Sequence, residues 1–246
     1  MMNSIPGALI KKLRSTKHLA VLTGAGTSSE SGVPTFREAQ TGLWEQYNPQ
    51  ELATRQAFKN NPQLVWDWYQ WRRKLIIEAD PNPGHFALAE MQTISQQFTL
   101  ITQNVDGLHQ RAGSQNVVEL HGNLMLDKCF DCSTPTTKEP PLTIRVFNCP
   151  RCWGLVRPDV VWFGEDLDPD NLSLALKTAE NCDTFISIGT SAVVEPAASL
   201  PSIAKENGAV LVEINPDSTP VTELADYVLK GPSGEILPQL VDQMKA

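Results

Sequence analysis

The sequence predicts an α/β protein, a doubly wound parallel sheet covered by helices on both faces and carrying a small cysteine-bearing insert. Three observations lead there. Short apolar, strand-like runs alternate with helix-like stretches along most of the 246 residues, the pattern that builds parallel sheets. One segment, 122–158, breaks that rhythm and holds four of the five cysteines. A glycine turn, Gly24-Ala25-Gly26, follows directly on the first apolar run.

The strand-like runs are 18–22, 98–102, 117–120, 184–188 and 209–214. The helix-like stretches are 61–79, 84–95, 171–180 and 234–245. Leu19 to Leu22 are short and apolar enough for a buried parallel strand. Gly24 and Gly26 lack a Cβ, so the chain can bend sharply after that strand and offer backbone N–H groups to an anion. This is half of a dinucleotide fingerprint. The third glycine position holds Ser29, and no acidic residue closes a second strand about 20 residues on. Arg37, just beyond the loop, brings a guanidinium within reach of a phosphate or a ribose. In the helix at 61–79, Val65, Trp68, Tyr69, Arg72 and Ile76 fall on one inward stripe, a spacing whose ordinary use is core packing.

Cys129-Phe-Asp-Cys132 and Cys149-Pro-Arg-Cys152 have sixteen residues between them. That spacing, without a secretory signal, reads as a four-thiolate tetrahedral zinc site and not as a disulfide framework. Thiolates fill all four positions, so the metal is structural. The segment is too short to bury a core of its own and needs the metal to hold it. The expected organisation is a Rossmann-like nucleotide-binding domain, 1–120 with 159–246, interrupted by a zinc-binding module at 121–158. Cys182 reads as a small buried apolar residue.

Ligands of such sheets collect at the carboxyl ends of the strands. Those ends carry Thr23 to Gly26, Thr102-Gln103-Asn104-Val105-Asp106, His121-Gly122, Gly189-Thr190-Ser191 and Asn215-Pro216-Asp217. Any one is ordinary turn chemistry; five together on one edge favour a site. Charge narrows the partners. With 20 Lys and Arg against 28 Asp and Glu, net −8, no basic stripe supplies the phosphate contacts of a nucleic-acid binder. An acidic protein can instead attract lysine-bearing segments. The first residues lack the apolar core and cleavage site of a signal peptide, and no run approaches the roughly 20 apolar residues of a membrane span. The expected location is the cytoplasm, with no membrane partner.

GAGTSSESGVPTFR, TQNVDGLH, ELHGN, the paired CxxC set, VVWFGE, IGTS and the Asn215 turn follow one another in an order that resembles the sirtuins, NAD-dependent protein deacylases. The likeness runs from about residue 14 to the end, and the length resembles the prokaryotic members. In that family the acyl-lysine carbonyl oxygen displaces nicotinamide from NAD. By resemblance, His121 is the general base toward a ribose hydroxyl, a role suited to an unperturbed pKa of about 6.5. Asn104 and Asp106 match the nicotinamide pocket, and Phe36 and Arg37 the mobile cofactor loop, where the guanidinium assists near the ribose and phosphates. Gly24, Ala25, Gly26, Gln103, Gly189, Thr190, Ser191 and Asn215 match further NAD contacts, and Ser233 a final one near the adenine. Val161-Trp162-Phe163-Gly164 resembles the edge that takes the substrate peptide as an added strand. Two positions depart from the family pattern: Glu38 stands where many relatives have glycine, and Pro216 stiffens the turn after Asn215.

Tyr69 and Arg72, spaced i, i+3 on one helix face, match the Tyr-x-x-Arg pair of the sirtuin branch that removes succinyl, malonyl or glutaryl groups. Ala39 matches a small residue that leaves room there. A phenol and a guanidinium can bind a carboxylate by charge-assisted hydrogen bonds, for which an acetyl pocket has no use. The implied activity is removal of succinyl or malonyl groups, with acetyl retained, from acylated-lysine proteins or peptides. It would give nicotinamide, free lysine and O-acyl-ADP-ribose. The competing readings are a plain deacetylase, an ADP-ribosyltransferase and a non-catalytic module that binds NAD or ADP-ribose.

Overall fold

The structure is a computed structural model that describes residues 5–34, 48–137 and 145–246. The amphipathic start forms α1 (Gly7–Ser15), followed by β1 (His18–Thr23) and one turn of helix, α2 (Gly26–Ser29). Four helices come next: α3 (Pro49–Leu52), α4 (Arg55–Asn60), α5 (Pro62–Glu78) and α6 (Pro83–Ile94). Asn61 caps α5 by accepting from the Leu64 N–H, with Pro62 in its first turn, where a missing N–H costs nothing. Then follow β2 (Gln97–Thr102), α7 (Leu108–Arg111) and β3 (Val118–Glu119). The cysteine segment supplies β4 (Gly122–Cys129), β5 (Pro135–Thr137) and β6 (Val156–Val160). The chain closes with α8 (Pro169–Asn181), β7 (Thr184–Ile188), α9 (Leu200–Glu206), β8 (Val210–Ile214), β9 (Tyr227–Leu229) and α10 (Ser233–Lys245).

The six strands β3-β2-β1-β7-β8-β9 form one sheet in that order, and every pairing is parallel. The two-residue period of a strand sends alternate side chains to opposite faces. Leu19, Val21, Ile186 and Val212 pack with Leu9, Leu88, Leu237 and Leu240 on one face. Ala20, Leu22, Phe185 and Leu211 pack with Ala175, Ala179 and Leu200 on the other. The sheet is therefore doubly wound, as predicted. The chain steps outward from β1 through β2 to β3 and returns to β7 on the other side of β1. Strand order reverses between β1 and β7, the place where such sheets bind ligands.

The interrupting segment is a second, antiparallel sheet, β5-β4-β6. Its register shifts between Asn123 and Asp127, and this irregularity hides any clean alternation in the sequence. Helices α4 and α5 pack over it: Phe58, Val65, Trp68, Tyr69 and Ile76 share a core with Leu124, Phe130, Val160 and Trp162. Inside this lobe Arg73 and Asp127, both with fully buried side chains, pair at 2.5 Å, and Arg73 also donates to the Leu124 and Leu126 carbonyls. Among the described residues no helix is long and apolar enough to cross a membrane.

Candidate active site

The glycine turn closes β1 against the end of β7. The Gly24 N–H donates to the Ile188 carbonyl at 2.9 Å and the Gly26 N–H to the Gly189 carbonyl at 2.8 Å. A Cβ on either glycine would stand 2.8 Å from the Gly189 oxygen, so glycine is required by close backbone approach. Those two amides are thus committed within the protein and are not the ones the turn can offer to an anion. Thr27, Ser28 and Ser29 also donate to backbone carbonyls. Ala25 carries the one amide of this turn without such a partner among the described residues.

Asn104, at the end of β2, donates through Nδ2 to the Gly24 carbonyl (3.1 Å) and to Ser28 Oγ (3.0 Å). Both donors are spent on the turn, so its Oδ1 is left facing away as an acceptor. Asp106 accepts from the Leu108 N–H at 2.9 Å. Burial pushes its carboxyl pKa up, while the Leu108 amide, Ser28 and the charge of Arg72 pull it back. Ser28 in turn contacts His85 Nε2 at 3.4 Å. His85 Nδ1 accepts from the Asn82 N–H, which places the imidazole proton on Nε2 and orders the chain His85, Ser28, Asp106. Ser28 and His85 were not assigned from sequence. Their motif neighbours were visible, but a contact across 57 residues leaves no local signal.

His121 sits where the two sheets meet. Leu120 still bonds Thr102 of the parallel sheet, and Gly122 already pairs with Val160 of the antiparallel one. Gly122 has φ +79°, and a side chain there would collide with the Asp159 backbone, so only glycine makes the junction. His121 Nδ1 lies 3.0 Å from the Gln103 carbonyl oxygen. A carbonyl only accepts, so Nδ1 carries the proton and Nε2 keeps its lone pair. Burial lowers the His121 pKa, with the Gln103 carbonyl opposing; the ring is neutral near pH 7.

The remaining cofactor-side candidates fall along the same edge. Gln103 Nε2 donates to Thr190 Oγ1 (3.0 Å), and Asn215 Nδ2 to the Thr190 carbonyl (2.9 Å). Gly189 is left-handed, φ +57°, and Ser191 is exposed. Ser233 is buried and donates to Glu30 Oε1 at 3.0 Å, beside the Gly234 N–H on the same oxygen; its hydroxyl ties the turn to α10. Phe36, Arg37, Glu38 and Ala39 lie outside the described residues.

On the other side of the junction, the Val161 N–H donates to the His121 carbonyl and the Phe163 N–H to the Ala53 carbonyl, both at 2.9 Å. The Trp162 N–H goes to Glu165 Oε2 at 2.9 Å. Three successive donors of this edge are therefore used internally, while Gly164 turns away at φ +81°. Trp162 is buried and its indole N–H donates to the Tyr69 hydroxyl oxygen at 2.9 Å. Arg72 lies over the Trp68 ring, 5.2 Å from its centroid, and 6.0 Å from that of Tyr69. Burial lowers the Arg72 pKa, and the charges of Tyr69 and Asp106 oppose the shift. Helix α5 thus places Arg72 beside Tyr69 and within electrostatic reach of Asp106.

The four cysteines gather with all Sγ atoms within 4.8 Å of one another; Cys129 and Cys152 are 3.4 Å apart and Cys132 and Cys149 3.8 Å. No disulfide links them. With Zn–S bonds of about 2.3 Å, the edge of an ideal tetrahedron is about 3.8 Å, so the cluster fits zinc. The Cys132 and Arg151 N–H groups point at Cys129 and Cys149 sulfur, as befits thiolates.

The Sir2 family model matches residues 24–196. NAD-dependent protein deacylase 1 of Archaeoglobus fulgidus is 49% identical over 242 residues, covering 96% of this chain and 97% of that protein. The NAD-dependent protein deacylase of Aquifex aeolicus is 49% identical over 235 residues, 93% of this chain and 95% of that protein. A crystal structure of a Sir2 homolog–NAD complex superposes with a TM-score of 0.93 at 47% identity, covering 99% of this chain and 95% of that one. A Sir2–p53 peptide–NAD+ complex superposes at 0.86 with 31% identity, covering 98% of each.

Proposed function

The chain belongs to the Sir2 family, and from that premise we propose that it is an NAD-dependent protein-lysine deacylase acting on succinyl- or malonyl-lysine as well as acetyl-lysine. The observation that carries the acyl preference is the guanidinium of Arg72 beside the Tyr69 ring and within electrostatic reach of Asp106. Together they offer a donor and a positive charge in a largely desolvated place, which suits a distal carboxylate.

The residues present fit NAD: the Ala25 amide, uncommitted among the described residues, the Asn104 Oδ1 acceptor, the Asp106 carboxylate and the Thr190–Ser191 turn line the strand-end edge near the switch between β1 and β7. NAD, when bound, supplies the anomeric carbon from which nicotinamide leaves. Asp106 would hold the carboxamide, and Asn104 Oδ1 would accept from a ribose hydroxyl. His121 Nε2, neutral and held by the Gln103 carbonyl, would take the ribose proton. Val161 to Gly164 would flank the peptide. With water, the products are nicotinamide, free lysine and O-acyl-ADP-ribose.

A plain deacetylase is the second reading, favoured by the stacking of Arg72 on Trp68, which would make that arginine a packing residue. Incubating the protein with NAD and acetyl- or succinyl-lysine peptide, with mass spectrometry of the products, separates the two. Acyl-ADP-ribose from both peptides supports the proposal. Product from the acetyl peptide alone supports the plain deacetylase.

A further inference from the structure

Arg157, on β6, is a buried cation outside both the cofactor edge and the metal site. Its NH1 donates to Glu165 Oε1 at 2.6 Å and its NH2 to Glu165 Oε2 at 3.0 Å. It also donates to the Pro158 and Val160 carbonyls, and its guanidinium lies 3.2 Å from the centroid of the Trp162 ring. Glu165 Oε2 accepts the Trp162 backbone N–H as well. The indole is therefore held at its backbone and across its face. Phe58 and Phe130 pack at 5.4 and 6.3 Å from it, centroid to centroid.

An indole N–H only donates, whereas a phenol both donates and accepts. The Trp162 donation occupies an acceptor position on the Tyr69 oxygen, and it is the one hydrogen bond of that hydroxyl among the described residues. The phenol's own proton is left for another acceptor. Accepting one hydrogen bond also strengthens a hydroxyl as a donor.

We propose that Trp162 is a specificity-positioning residue: its indole N–H, locked by the Arg157–Glu165 pair, aims the Tyr69 hydroxyl proton at the distal carboxylate of an acidic acyl-lysine. This rests on the acidic-acyl reading above. Burial pushes the Tyr69 pKa up to about 12, so the phenol remains a donor over the whole working pH range.

The test is a double-mutant cycle read as the ratio of kcat/KM for succinyl-lysine to that for acetyl-lysine peptide, with Trp162→Phe, Tyr69→Phe and both together. A companion protein carries β-(3-benzothienyl)alanine at 162, which keeps the shape of the indole and replaces only the N–H, so folding is preserved. Trp162→Phe and the benzothienyl protein should each lower the ratio about threefold to tenfold, the net worth of one neutral hydrogen bond. The effect should lie mainly in KM for the succinyl peptide, and the double variant should match Tyr69→Phe alone. Independent, multiplying effects, or an unchanged ratio in the benzothienyl protein while Arg72→Met lowers it, would overturn the role of Trp162 and leave the acidic-acyl reading standing. A ratio unmoved by Arg72→Met and Tyr69→Phe as well would overturn both.

Discussion

The two lobes meet at His121, and they hold their functional groups by different physical means. On the parallel sheet, backbone does the holding. Gly24 and Gly26 press against Gly189, Asn104 and Asn215 tie turns together through carbonyls, and each strand end is fixed by its neighbour's hydrogen bonds. In the antiparallel lobe the backbone register is irregular, and side chains carry the load: four thiolates, the Arg73–Asp127 pair and the Arg157–Glu165 pair. A short segment with little core of its own can be ordered only by strong, specific contacts. The sheet lobe, with two apolar faces to bury, needs none.

This contrast breaks most visibly at the metal. Replacing Cys149 with Ser should release zinc and loosen β4 to β6, because structural zinc contributes roughly 10–16 kcal/mol of apparent binding free energy that is also folding free energy. Elemental analysis should give one zinc per wild-type chain and none in the variant. Hydrogen exchange should rise in 122–160 and stay low in β1, β7 and β8; equal loosening of both lobes would erase the distinction. The junction comes next. His121→Ala should lower kcat/KM for acyl-peptide by at least ~10²-fold, the low end of general-base catalysis, with zinc content unchanged. Turnover within tenfold of wild type would remove the assigned role.

A smaller effect tests the acyl side of the cleft. Arg72→Met should lower kcat/KM for succinyl-lysine by about 10- to 100-fold, since a hydrogen bond to a charged group is worth roughly 1.5–3 kcal/mol. Acetyl-lysine has no distal carboxylate, and its turnover should fall far less. Equal losses would make Arg72 a structural residue of α5. A last comparison, in stability and not in turnover, concerns the sheet lobe's buried histidines. Burial lowers His85 to about 4 and His109 to about 3, with His85 a further cause for His109. Unfolded, each would titrate near 6.5, so below that pH the unfolded state binds more protons and stability falls as pH falls toward the folded values. Urea unfolding at pH 7.5 and pH 5 should differ by up to roughly 4 kcal/mol, about 2 for each histidine. A flat profile would mean the histidines are not buried neutral.

Much of this was legible in one dimension because it is local or periodic. Alternating apolar runs announce a parallel sheet, since a strand buried on both faces has no polar side to show. Two CxxC pairs announce a metal because a thiolate cluster has no other use for that spacing. The fold class also says which end of a strand meets a ligand, and this makes the residues at the strand ends the candidates.

What the tertiary structure alone decided is direction and partnership. The helical period of α5 identified an inward stripe, but only packing shows that it covers β4 and β6. The glycine turn announces amides for an anion, but only the close approach to Gly189 shows that those of Gly24 and Gly26 are spent within the protein. The proton on His121 Nδ1, the link from His85 through Ser28 and the bond from Trp162 to Tyr69 span 18, 57 and 93 residues. A hydrogen bond depends on a few tenths of an ångström and on which group donates. No propensity encodes that; it exists only once both sheets have closed on His121.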